Sequence, residues 1–242
     1  MSAIYDIRLD NVIFIDIETT PTTKSLGELS EAMQELWDNK TASERGEEVS
    51  AADYYDERAA LYPEFGRVVC ISIGVMQYSI EGWKIFTKSY CSDDEVALLY
   101  DFDQFLQKYW TPSRLFCGHN IKEFDMPYIA KRMLINRIRL SPALDVSGKK
   151  PWEIPYVDTL DLWKFGSYRG GASLELLSNV FGIPTPKDDI HGSEVRRVFY
   201  EENDLDRIST YCQKDVVATA QVLIAMRGEP IIPESNIVFR GR

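Results

Sequence analysis

Two carboxylates stand inside a short apolar stretch near the start of the sequence. The segment FIDIETTP (residues 14–21) carries Asp16 and Glu18 in a run of residues that is typical of a β-strand. Because side chains alternate between the two faces of a strand, both carboxylates lie on one face, about 7 Å apart. Like charges at this spacing repel each other. The sequence therefore predicts a cationic partner that cancels this repulsion.

Two further carboxylates stand beside apolar residues at the edges of predicted elements. In GHNIKEFDMPYI, Asp125 follows a short strand and opens an apolar helix. In YCQKDV, Asp215 follows Tyr211 by four residues, so both project from one face of a helix. Carboxylates so placed need partners, and hard oxygen ligands favour Mg²⁺ or Mn²⁺. Zinc is not expected as the intended metal, because the sequence has two histidines and no cysteine cluster.

The elements that must position these residues form an α/β pattern within a single domain, residues 1–242. Three strand patterns precede a helix, and strand and helix patterns then alternate, which predicts a mixed sheet. The tail, residues 229–242, reads as loop with one edge strand. The predicted strands are 12–17, 67–78, 83–90, 114–120 and the start of 156–166. The predicted helices are 92–110, 124–137, 173–184 and 203–228.

An acidic helical segment, residues 22–63, lies between the first two predicted strands. It contains ten acidic and four basic residues and so supplies −6 of the net charge of −11. Net negative charge argues against a nucleic-acid binder, since phosphate contacts favour Lys and Arg. The rest of the chain is only mildly acidic. We expect this segment to be an insertion that serves as a partner-binding surface or as a cover over the sheet.

Composition and cysteine usage favour a globular cytoplasmic protein. The sequence is 45% hydrophobic and 12% aromatic, which argues against disorder. No apolar run approaches the roughly 18 residues of a membrane span, and the first ten residues lack the pattern of a signal peptide. We expect no membrane association. The four cysteines, scattered and without a CxxC pair, are expected to be free thiols in a reducing cytoplasm: Cys70, Cys91, Cys117 and Cys212.

Three motifs resemble those of the DEDD 3′→5′ exonuclease superfamily in its tyrosine form. FIDIETT resembles the first motif, Asp-x-Glu on the first strand of a ribonuclease-H-like fold. NIKEFD matches the second motif and YCQKD matches the third, Tyr-x₃-Asp. The order and spacing agree from about residue 11 to 225. The resemblance is closest to the proofreading exonuclease domain of family B DNA polymerases, here expected to stand alone.

This resemblance implies a fold and an activity. The implied fold is a ribonuclease-H-like α/β domain with a mixed five-stranded sheet flanked by helices. The implied activity is metal-dependent 3′→5′ hydrolysis that releases nucleoside 5′-monophosphates from the 3′ end of single-stranded DNA or RNA, with DNA expected. An exoribonuclease, a hydrolase of short oligonucleotides and a non-catalytic binding module remain alternatives.

The resemblance also implies a role for each site residue. Two ions, Mg²⁺ or Mn²⁺, are expected. Asp16, Glu18 and Asp215 would hold one ion with the attacking water. Asp16 and Asp125 would hold the second near the leaving 3′-oxygen, and Tyr211 would orient the water. Three further residues are implied to contact the terminal nucleotide: Thr19, Asn120 and Phe124.

Other polar residues near the motifs are interpreted as structural. His119 adjoins the second motif and is interpreted as a structural residue, and His191 as a loop residue. Asp158 and Asp161 are interpreted as helix caps at the edge of the core. The segment FGSYRGGAS lacks the phosphate-loop pattern. Whether its Arg169 contacts backbone phosphate is left open.

Overall fold

One mixed sheet forms the centre of the computed structural model, which describes residues 4–46, 48–184 and 190–241. The strands are β1 (Val12–Pro21), β2 (Gly66–Ser79), β3 (Gly82–Cys91), β4 (Leu115–Gly118), β5 (Tyr156–Asp158) and β6 (Ile237–Phe239). Their order across the sheet is β5-β4-β1-β2-β3-β6. The pairs β1–β2 and β2–β3 are antiparallel, whereas β1–β4, β4–β5 and β3–β6 are parallel.

The predicted α/β class, a mixed sheet with helices, is confirmed. The expected number of five strands is wrong, because the described residues form six. The sixth is the three-residue edge strand β6, which lies in the tail and pairs with β3. The tail therefore contains the edge strand that the sequence predicted.

Helices flank the sheet and begin where short polar residues satisfy free backbone N–H groups. Their bounds are α1 (Glu31–Arg45), α2 (Ala51–Arg58), α3 (Glu95–Tyr109), α4 (Asp125–Ile135), α5 (Thr159–Lys164), α6 (Leu174–Val180), α7 (Val195–Arg197) and α8 (Leu205–Met226). Side chains of Ser or Asp accept N–H bonds from the first turns of α1, α2, α3, α5, α6 and α8. The sequence did not predict the one-turn helix α7. Within the described residues, no helix is both long enough and apolar enough to cross a membrane.

The two faces of β1 belong to two different cores, as the alternation predicted. Ile13, Ile15 and Ile17 pack into a cluster with residues of α3 and α4. Val12 and Phe14 pack into a second cluster with residues of α8. Full burial of each such side chain contributes about 1.5–3 kcal/mol to stability. Helix α8 therefore covers the face of β1 that also carries Asp16.

A glycine on β2 lets α8 lie close to the sheet. A Cβ at Gly74 would come within 2.6 Å of the Val216 Cγ1 atom of α8. Next to this contact, the Thr87 hydroxyl of β3 donates a buried hydrogen bond of 2.6 Å to the Gln213 side-chain carbonyl. These contacts fix the distance between α8 and the sheet. They therefore also fix the distance of residues 211–216 from β1.

The acidic segment 22–63 has a small core of its own. Trp37 is fully buried, packs against Tyr55, Phe65 and other aromatic rings, and donates to the Ala51 carbonyl at 2.8 Å. The Ala60 carbonyl accepts hydrogen bonds of 2.8 Å from two residues of the main body, one on β1 and one on α4. Partly buried hydrogen bonds thus join the segment to β1 and α4, and its own aromatic packing holds it together.

Two of the four cysteines form a disulfide, so the prediction of four free thiols is wrong for this pair. Cys70 on β2 and Cys91 on β3 stand directly opposite each other in the antiparallel register, and their sulfurs are bonded. Cys117 and Cys212 are free and buried. Sequence spacing could not reveal the pair, because 21 residues and a hairpin separate its members.

Candidate active site

The first two carboxylates stand on β1 immediately before an irregularity in the strand. Asp16 lies opposite Ser72 and Glu18 opposite Cys70 on β2, and the register shifts between Glu18 and Thr19. Such a bulge redirects the side chains that follow it. Glu18 is only 7% exposed, and Asp16 is partly buried. Both carboxylates are therefore held by a hydrogen-bonded strand under α8.

A cysteine of α8 joins this pair. The Cys212 thiol lies 3.4 Å from the backbone carbonyl oxygen of Asp16 and 3.4 Å from its carboxylate Oδ2. One ligand atom each from Asp16, Glu18 and Cys212 all lie within 4.8 Å of one another. The sequence reasoning missed Cys212, although it lies inside the third motif between Tyr211 and Asp215. No local pattern in the sequence indicated this contact, because Cys212 and Asp16 are 196 residues apart in the chain.

Asp125 reaches the same place from α4. It is the first residue of α4, is 3% exposed, and accepts a hydrogen bond of 3.1 Å from the backbone N–H of Ile17. Ile17 lies between the two carboxylates of β1. A buried ion pair holds α4 in this position, since Arg132 donates to both carboxylate oxygens of Glu95 at 2.9 and 2.5 Å. Asp125 is thus fixed beside the β1 pair.

Tyr211 and Asp215 complete the group from α8. Burial raises the pKa of Asp16, Glu18 and Asp125, and the charge of Asp215 raises each of them further, so the four carboxylates interact. Burial, followed by Asp215, raises the pKa of Tyr211 far above its usual range. The structure therefore brings all five predicted catalytic residues to one site. Among the described residues, the ligand atoms within 4.8 Å of one another come from Asp16, Glu18 and Cys212. This group does not include Asp125 or Asp215.

The charges that act on Asp16 and Glu18 within the described residues are those of other carboxylates. Burial is the largest cause of the raised pKa of Asp16 and Glu18, and every charged group that adds to it is another carboxylate. Burial also raises the pKa of Asp125 to about 7, although hydrogen bonds from backbone N–H groups lower it. A divalent cation would relieve this repulsion, and the carboxylate oxygens suit Mg²⁺ or Mn²⁺. The residues present fit the metal centre that the sequence predicted.

Asn120 and Phe124 lie in the turn that leads from β4 into α4. Asn120 has a left-handed backbone (φ 64°), which Asn adopts more readily than most residues. Its N–H donates to the Asp158 carboxylate at 2.9 Å, and its carbonyl accepts the N–H of Phe124 at 3.0 Å. The Phe124 ring packs on Tyr128, with ring centroids 5.3 Å apart. Both residues lie beside Asp125, and their contact with substrate stays a prediction.

Thr19 has an internal partner. Its side chain is buried, and its hydroxyl donates to the Ala60 carbonyl at 2.8 Å. Tyr128 donates to the same oxygen at 2.8 Å. In this structure Thr19 therefore joins β1 to the acidic segment, and its predicted contact with substrate is not tested.

The residues interpreted as structural have structural partners. Asp158 caps α5 by accepting the N–H of Leu160 at 2.9 Å, which confirms its capping role. Asp161 instead lies in the first turn of α5 and pairs with Lys122 at 2.8 Å. Both ring nitrogens of His119 lie 2.9 Å from oxygen atoms, and burial lowers its pKa. His119 is therefore a bonded residue of the fold rather than a free base.

Comparisons with known proteins give a family match and one similar solved structure. A family model described as "Predicted 3'-5' exonuclease related to the exonuclease domain of PolB" matches residues 61–228. Among solved structures, the chain is similar to the family B DNA polymerase from the hyperthermophilic archaeon Pyrobaculum calidifontis, with 15% identity and a TM-score of 0.49. That similarity covers 90% of this chain and 24% of the polymerase, so the chain spans about a quarter of its length. No curated protein matches the sequence. Because the family match covers more than half of the chain, this protein belongs to the family of predicted 3′-5′ exonucleases related to the exonuclease domain of PolB.

Proposed function

We propose that this protein is a metal-dependent 3′→5′ exonuclease that releases nucleoside 5′-monophosphates from the 3′ end of single-stranded nucleic acid, with DNA as the expected substrate. The observation that carries the proposal is the group of buried carboxylates whose charged neighbours are themselves carboxylates. Such a group is unfavourable without cations and favourable with them. The family membership supplies the class of reaction.

The carboxylates divide into ligand sets in this proposal. Asp16, Glu18 and Asp215 would hold one Mg²⁺ or Mn²⁺ ion, and Asp16 and Asp125 the other. When bound, the metal would supply an activated water and neutralise the charge on the attacking and leaving oxygens. The chain's own contribution is a rigid set of ligands, because Asp125 is bonded to the backbone of β1 and α8 is packed against β2.

Tyr211 is proposed to position the attacking water. Burial and the neighbouring carboxylates raise its pKa, so its hydroxyl keeps its proton at neutral pH. A protonated phenol can donate a hydrogen bond and hold a water or phosphate oxygen in place, but it cannot accept the proton of the water at this pH. We therefore propose a positioning role for Tyr211 at neutral pH rather than a role as general base.

The direct experiment follows end-labelled single strands of DNA and RNA in Mg²⁺ or Mn²⁺. A 5′-labelled strand should shorten one nucleotide at a time, and a 3′-labelled strand should release labelled mononucleotide at once. DNA should be degraded faster than RNA when both compete in one reaction. Early fragments from the middle of the strand would contradict the proposed polarity.

A hydrolase of short oligonucleotides is the second candidate, and the acidic exterior of segment 22–63 favours it. Exposed carboxylates on α1 and α2 oppose the approach of a long polyanion more strongly than that of a short one. Rates measured on oligomers of increasing length decide between the two. A rate that falls steeply with length favours the second candidate, and a constant or rising rate favours the first.

A further inference from the structure

The carboxylate site contains a sulfur atom that the two-metal proposal does not use. Cys212 is fully buried, and its sulfur lies within 4.8 Å of ligand oxygens of both Asp16 and Glu18. The sulfur comes from α8 and the oxygens come from β1, so two separate elements build this donor set.

The spacing matches a cation that binds sulfur and oxygen together. Zinc in proteins has Zn–S distances near 2.3 Å and Zn–O distances near 2.0–2.2 Å, so tetrahedral geometry places the two donors about 3.6 Å apart. The Cys212 sulfur is 3.4 Å from the Asp16 Oδ2 atom. This pair of donors is thus close to the required separation before any ion binds, and the Glu18 donor lies within 4.8 Å of both.

The elements that carry the donors are held firmly. The α8 helix is fixed against the sheet by the Gly74–Val216 contact and by the Thr87–Gln213 hydrogen bond. Sulfur ligands select thiophilic ions, whereas Mg²⁺ and Mn²⁺ prefer oxygen. One centre therefore offers hard ligands to the catalytic ions and a mixed sulfur–oxygen set to softer ions.

We propose that Cys212, Asp16 and Glu18 form a binding site for one thiophilic divalent cation, Zn²⁺ or Cd²⁺, which overlaps the catalytic carboxylates and inhibits the nuclease. On binding, the S–H bond of Cys212 breaks, a sulfur–metal bond forms and the proton passes to solvent, with no change of oxidation state. The inhibitory part rests on the proposed function, whereas the binding part rests on the donor geometry.

The binding test titrates metal-free protein with Cd²⁺, in buffer without thiols, and follows the ultraviolet charge-transfer band of a cadmium–thiolate bond. The wild type should develop this band and saturate at one Cd²⁺ per chain. Cys212→Ser should lose the band and bind Cd²⁺ at least about tenfold more weakly. Mutation of residues that only hydrogen-bond to metal ligands already lowers affinity by about 10–100-fold, so loss of a ligand should cost at least as much. Cys212→Ala provides a second variant if serine disturbs the fold.

The matched control is Cys117→Ser. Cys117 is the other free buried cysteine and lies on β4. Its replacement should leave the band and the Cd²⁺ affinity unchanged. A wild type without the band, or a band that persists in both Cys212 variants, would overturn the metal site.

Inhibition supplies the second readout. Half-inhibition of the Mn²⁺-dependent nuclease should require at least about tenfold more Zn²⁺ in Cys212→Ser than in the wild type. Equal inhibition would overturn the overlap of the two sites. Because the Cd²⁺ band needs no substrate, a band in a protein without nuclease activity would reject the proposed function and support the metal site.

Discussion

Replacement of Gly74 by alanine should move α8 away from the catalytic carboxylates. The added Cβ would meet the Val216 Cγ1 atom at 2.6 Å, whereas carbon atoms prefer about 3.5–4.0 Å. Valine is restricted about its first side-chain torsion, so it cannot rotate away easily. The helix or the strand must therefore give way by about 1 Å, and Asp215 is the residue next to Val216.

Two effects on stability oppose each other in Gly74→Ala. Overpacking of a buried site costs about 1–3 kcal/mol. Alanine also lowers the entropy of the unfolded chain, which stabilises the fold by about 0.4–1 kcal/mol. The overpacking is larger, so the free energy of unfolding should fall by about 1–2 kcal/mol. A shift of about 1 Å near the site should lower the nuclease rate by roughly 10²-fold.

A double-mutant cycle tests this reasoning. Val216→Ala removes the clashing atom, and the next neighbours of the new Cβ would then be Phe14 and Thr87 at 3.6 and 3.8 Å. Gly74→Ala should therefore cost little stability or activity in the Val216→Ala background. Gly27→Ala is the matched control, because a Cβ there meets nothing within 4 Å. Urea unfolding and single-turnover rates measure both quantities. An equal cost in the two backgrounds would refute the steric explanation.

Three further predictions concern the site itself. Tyr211→Phe should lower the single-turnover rate by roughly 10²-fold without changing Mn²⁺ affinity measured by calorimetry; an equal loss of affinity would make Tyr211 part of the metal site. Because burial raises the pKa of Asp125 from 3.8 to about 7, its contribution to the stability of the metal-free protein is complete below pH 3.8 and is lost as the pH rises through 7. Urea unfolding should show this decline, and Asp125→Asn should reduce it; an unchanged slope would contradict the shift. Metal-free Asp16→Asn should melt at or above metal-free wild type because one repelling charge is removed, yet it should gain much less than the about 2.7 kcal/mol that metal a hundredfold above Kd supplies; an equal gain would place the metal elsewhere.

The parts of the fold that depend on local periodicity could be predicted from the sequence. The alternation in β1 correctly separated Ile13, Ile15 and Ile17 from the face that carries Asp16. The four-residue spacing of Tyr211 and Asp215 correctly placed them on one face of a long helix. In both cases the side-chain positions depend only on the local geometry of one strand or one helix. They can therefore be predicted without knowing how the elements pack together.

The parts that depend on register and on packing between distant segments could not be predicted. The Cys70–Cys91 bond follows from the pairing of two strands, which spacing alone does not fix. Cys212 was missed because its relation to Asp16 arises only when α8 packs on β1, across 196 residues of chain.

The most direct test of the account compares Asp215→Asn with Asp206→Asn on 5′-labelled single-stranded DNA in Mn²⁺. Both residues lie on α8, but Asp206 lies in its first turn and is exposed. The account predicts that Asp215→Asn removes nearly all release of 5′-mononucleotide while the protein stays folded, and that Asp206→Asn retains the wild-type rate. Wild-type activity in Asp215→Asn would contradict the claim that this carboxylate group performs the reaction.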